Sequence, residues 1–110
     1  MGYYSDVALV LDANAVKSFD KFIEEDNGIK SLLDIATITR DKEGCRMYVW
    51  GGIKWYNRNG ITELEDYLDN LKYYVYIYHI IGEDLEDVST RGGFWNNPFE
   101  CRITRRIDFE

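Results

Sequence analysis

A chain of 110 residues with 20 acidic and 13 basic side chains carries a formal charge of −7, and 45% of it is hydrophobic. This length predicts a single domain, residues 1–110, and the hydrophobic share excludes a disordered chain. The negative charge disfavours nucleic-acid backbones and anionic membranes as partners and favours a protein with a basic surface or a cationic groove.

The first strand is expected over Ser5–Leu11, where apolar residues on both sides point to a central strand covered on both faces. Asp12 or Asn14 caps a helix whose inner side carries Val16, Phe19, Phe22 and Ile23. Asn27-Gly28 is expected to end it, since glycine tolerates the left-handed conformation that follows a helix. Ile29–Asp34 is a connector with room for one more helical turn, followed by a strand near Ile35–Arg40 and a turn at Asp41–Gly44. Cys45–Trp50 reads as a strand that Gly51-Gly52 interrupts with a bulge or bend and Ile53–Tyr56 resume. After a turn at Asn57–Gly60, Thr62 and Glu65 have the spacing of a capping box, and Leu64, Tyr67, Leu68 and Leu71 form an apolar stripe. Tyr73–Ile81 is the most strand-like stretch, Gly82–Asp87 an acidic loop, Arg91–Pro98 a turn-rich excursion and Phe99–Phe109 a closing strand. The order predicts an α+β, ferredoxin-like βαββαβ unit with an additional C-terminal antiparallel strand and two helices on one face of the sheet.

No run approaches the roughly 18 apolar residues of a membrane span, and the first residues lack the basic and apolar regions of a secretory signal. Position 6 is Asp6, where a myristoylation motif needs Ser or Thr. The expected location is the cytoplasm. Cys45 and Cys101 are too few and too far apart for a disulfide scaffold or a metal knuckle, and read as small buried hydrophobes.

Three groups of residues invite a chemical reading. The acidic loop holds Glu83, Asp84, Glu86 and Asp87, without the ligand spacing or glycine of a calcium loop, so a partner-facing or solvated run is expected and no metal. Phe94 and Trp95, beside Asn96-Asn97, read as an exposed loop tip and an interface anchor. If Val75, Ile77 and Ile81 face the helices, Tyr74, Tyr76 and Tyr78 share the opposite face with Tyr48 and Trp50. With Arg102 and Arg106 interspersed, such a face would stack nucleotides or single-stranded RNA, although the charge and the missing RNA-recognition signature count against it. His79 alternates with the inward residues and reads as a core or sheet-edge histidine. A small hydrolase built on it would need a neighbouring cysteine. The glycine pairs at Gly51-Gly52 and Gly92-Gly93 lack the spacing of a phosphate cradle. No catalytic residue and no cofactor is expected. Edge strands leave a homodimer open.

Met1-Gly2-Tyr3-Tyr4-Ser5-Asp6-Val7, Ile53-Lys54-Trp55-Tyr56, Ile80–Asp87 and Arg105–Phe109 together resemble a group of small accessory proteins encoded by bacteriophages. The resembling blocks span nearly the whole chain but are short and separate, and no functional residue is carried over. The resemblance implies an intracellular phage protein acting on a host system. By analogy it would be a stoichiometric inhibitor of a bacterial defence complex, an anti-CRISPR or similar anti-defence protein. The residues themselves predict a non-enzymatic binder in which the acidic loop supplies association rate and the two rings supply buried anchor area.

Overall fold

The structure is a computed structural model that describes residues 4–55, 60–82, 88–99, 101–103 and 107–108. Strand β1 (Ser5–Leu11) forms where expected and takes the middle of the sheet. Val7 through Leu11 are fully buried, which the two-sided apolar run demands. β3 (Cys45–Ile53) and β4 (Tyr76–Gly82) flank β1, and β2 (Ile38–Lys42) and β5 (Val88–Gly92) lie outside them. All four pairings are antiparallel, giving one five-stranded sheet of order β2-β3-β1-β4-β5. With the three α-helices found among the described residues the architecture is α+β.

Helix α1 (Ala13–Glu25) starts on Asp12, whose Oδ1 accepts from the Ala15 amide at 2.8 Å. It does not end at Asn27-Gly28. Asp26 turns extended at φ −130°, and its carboxylate accepts from Ile29 N at 3.0 Å, so one residue closes α1 and caps α2 (Asn27–Asp34). The connector is therefore a full helix that puts Ile29 and Leu32 into the core. Helix α3 (Ile61–Asp69) begins on Gly60, and the expected Thr62–Glu65 box does not form. A Cβ on Gly60 would sit 2.6 Å from the Gly28 carbonyl oxygen, so the helix starts where two backbones touch, two residues early for the box. A 3₁₀ turn, Tyr73–Val75, then leads into β4.

β3 runs on through Gly51-Gly52 without a break, and the pair marks the bulge such glycines signal. Ser5 pairs with Ile53 and Val7 with Trp50, so β3 carries one extra residue as a bulge. Side chains take up the amides there: Gly52 N donates to Asp6 Oδ1 at 2.8 Å and Gly51 N to Thr37 Oγ1 at 3.1 Å.

Apolar clusters pack on both faces of the sheet. On one, Val7, Leu9, Tyr48, Trp50, Tyr76 and Tyr78 meet Phe19, Leu32, Leu64 and Leu68 of the helices. On the other, Ala8, Val10, Met47, Val49 and Ile77 meet Phe99 and Cys101. The described residues of the expected closing strand Phe99–Phe109 thus cover this face. Among them only β6 (Arg102–Ile103) and β7 (Ile107–Asp108) are extended, and they form a separate two-stranded sheet. The additional strand of the main sheet is instead β5, built from Val88–Thr90, to which the sequence assigns no element, and the start of the expected turn-rich excursion. The buried Asn97 side chain accounts for the cover's shape. Its Oδ1 accepts from Cys101 N at 2.9 Å and its Nδ2 donates to the Phe94 carbonyl at 3.0 Å, curling the chain back over the sheet.

Candidate functional site

The structure redistributes the residues singled out from sequence. Glu83, Asp84, Glu86 and Asp87 lie outside the described residues. Phe94 is half-buried against the cover cluster, so it props the loop and does not project from it. Trp95 is 55% exposed, with its ring 5.5 Å from the His79 ring, centroid to centroid. The open aromatic face does not assemble. Tyr48, Trp50, Tyr76 and Tyr78 are buried beneath the helices, and Tyr74 stands apart in the 3₁₀ turn, exposed beside Tyr73 and under Lys72. Both faces of the sheet are covered, so the Tyr/Ile alternation of β4 separates two packed layers, not a wet face from a dry one.

His79 turns away from the helices, opposite to expectation, and lies fully buried beneath the cover. Its Nδ1 and Thr90 Oγ1 share a hydrogen bond of 3.0 Å, while no hydrogen bond of ordinary geometry reaches Nε2 among the described residues. Burial lowers its pKa to about 4, against a smaller upward pull from the Cys101 backbone, so the ring is neutral at pH 7. The apolar cluster on this face of the sheet holds both cysteines. Burial pushes the Cys101 thiol up to about 11, and burial also raises Cys45, whose hydrogen bond to the Ala13 backbone opposes the shift. Protonated, enclosed thiols are poor nucleophiles and poor metal ligands.

On the helix side, Trp55 Nε1 donates to Tyr78 Oη at 2.7 Å and Tyr78 Oη donates to Glu65 Oε2 at 3.0 Å. Glu65, read from sequence as half of a capping box, thus terminates a buried polar chain. It also pairs at 3.9 Å with Arg91 of β5, which Asp69 holds from one turn further along α3. Arg46 makes the corresponding tie on the opposite side, bonding Asp20 of α1 at 2.6 Å and Asp41 of β2 at 2.8 Å. Burial pulls its pKa down, but these two carboxylates outweigh that and hold the guanidinium above its ordinary value. Neither tie carries a sequence signal, because their members lie on separate elements. An open groove of about 480 Å³ lies at the bulge end of the sheet, walled by Tyr4, Ile35, Trp50 and Lys54, the last 5.6 Å over the Tyr4 ring. No set of three or more potential metal ligands converges among the described residues.

The two sheet edges differ. β2 presents Arg40, Asp41 and Lys42 to solvent, which blunts it against strand pairing. β5 is Val-Ser-Thr-Arg-Gly, its single charge drawn to α3. It ends at Gly92, where φ is +86° and a Cβ would collide with the Tyr76 carbonyl, so the chain leaves the sheet there for the cover.

Comparison with protein-family models, curated proteins and solved structures finds no match to this chain.

Proposed function

We propose that this chain is a non-enzymatic, acidic protein-binding module that acts by stoichiometric contact with a host protein bearing a basic surface. The observation that carries the reading is Trp95. A tryptophan more than half exposed, on a loop braced by the buried Asn97 and seated on a buried histidine, is a preorganised anchor for an interface. Tyr73 and Tyr74, 69% and 55% exposed, add ring surface at the start of β4. The charge of −7 favours encounter with a cationic partner.

The finer architecture belongs to the same proposal. The order β2-β3-β1-β4 with helices between β1 and β2 and between β3 and β4 follows the ferredoxin-like plan, with β5 appended at the edge. The resemblance to bacteriophage accessory proteins makes the host cytoplasm the place of action and a bacterial defence complex, such as a CRISPR effector, the kind of target.

The test is affinity capture from bacterial lysate with wild type and Trp95→Ala, read by mass spectrometry. Loss of a specific partner with the variant supports the reading, and unchanged recovery removes Trp95 from it.

A further inference from the structure

Every face of the main sheet is covered and one edge is blunted by charge, which leaves the outer edge of β5 as the place where the sheet can grow. Among the described residues no strand pairs with that edge. Val88, Ser89 and Thr90 are exposed, and the strand contains no proline and no free charge. The outward amides and carbonyls of an edge strand of this kind are a template for an incoming strand about 4.8 Å away. The charge beside it selects what comes in. Glu65 and Asp69 of α3 reach over β5 to Arg91, and the exposed Asp66 stands one turn before Asp69. Glu65 and Asp69 thus stand over the edge against one guanidinium, on a helix whose other charged residues, Glu63 and Asp66, are also acidic and which carries no lysine or arginine. A second copy of this chain, paired antiparallel, would bring its own acidic α3 alongside and be repelled.

We infer that the β5 edge accepts an extended segment of a partner protein by strand addition, a segment whose alternate residues are Lys or Arg and lie along the acidic flank of α3. This rests on the protein-binding reading and names the partner's chemistry. Main-chain hydrogen bonds supply the docking, and the alternate cations supply the choice of sequence.

The probe is a short fluorescent peptide alternating Thr and Lys, compared with its Thr/Glu counterpart by anisotropy at low salt, with hydrogen exchange of the protein followed in parallel. The Lys peptide is expected to bind and to slow exchange of the β5 amides while leaving those of β2 unchanged, and the Glu peptide to do neither. Asp66→Lys, which leaves the Arg91 pairs intact, is expected to weaken binding about tenfold with an unchanged circular dichroism spectrum. No binding at about 1 mM, equal binding of the Glu peptide, or protection at β2 or the helices without β5 overturns the proposal. So does indifference to Asp66→Lys. A captured partner that needs Trp95 yet leaves β5 unprotected would remove the edge and keep the binding module. Peptide binding with β5 protection in a chain whose capture ignores Trp95→Ala would do the reverse.

Discussion

His79 couples the stability of the molecule to pH, because its enclosure beneath the cover disfavours the charged ring. The folded value is about 4 and the ordinary one about 6.5. Between those values the unfolded chain binds more protons than the native one. The stabilisation is therefore complete above about pH 6.5 and drains away as pH falls toward 4, by roughly 1.4 kcal/mol per unit and about 3 kcal/mol in all. Urea unfolding at pH 7 and pH 4.5 is expected to show a smaller difference for His79→Gln than for wild type. Equal differences would place the acid sensitivity in the carboxylates. Tyr78 is the other residue on which much converges, since its hydroxyl serves both the Trp55 indole and Glu65. Tyr78→Phe leaves a buried indole N–H without its acceptor and is expected to cost about 1–3 kcal/mol by the same assay. Neither role was legible in the sequence. The single histidine and the strand tyrosine were visible, but the atoms that partner them come from β5, α3 and the segment after β3.

At the scale of elements, local signals read well where the physics is local. β1 was recovered in full and the Asp12 cap was anticipated, because both depend on neighbours in the chain. The Asp26 cap was not seen, since the Asn-Gly dipeptide after it looked like a stop and is in fact the first turn of α2. Asp26→Ala is expected to lower stability by about 1 kcal/mol, and the exposed Asp34→Ala by much less, with thermal melting as the measure. Facing failed in β4 for a clear reason. Period-two patterning tells inside from outside only when one side is wet, and here Tyr76 and Tyr78 pack under helices while Ile77 and His79 pack under the cover. A contrary signal was already present. Ala8 and Val10 made β1 apolar on its second side, which a bare tyrosine face could not have satisfied. Gly92→Ala tests how the cover departs from the sheet. It forces a side chain into φ +86° against the Tyr76 carbonyl, and its melting temperature should fall by several degrees.

For the whole molecule, the class of fold was legible and the division of labour within it was not. Alternating helical and strand periods pointed to α+β, yet the closing segment, which carries the alternation of a strand, adds none to the main sheet: its described residues supply the small β6-β7 pair and, with the turn that Asn97 holds, a lid over the sheet. The candidate site shifts accordingly, from an open sheet face to a loop tip and an edge. The lid makes the two thiols unequal, Cys101 being 1% exposed and Cys45 8%. Under native conditions Cys101 is expected to react with a maleimide more slowly than Cys45. Phe99→Ala is expected to speed Cys101 selectively, and equal acceleration of both would mean that the sheet opens as one body.

The placement of the indoles has a spectroscopic use. Trp50 and Trp55 lie fully enclosed with ring centres 4.8 Å apart, while Trp95 stands in water on the lid. Emission from the enclosed pair should be blue and shielded from acrylamide, and that from Trp95 red and readily quenched. One unlabelled sample would then report separately on melting of the interior and on burial of the loop tip by whatever docks there.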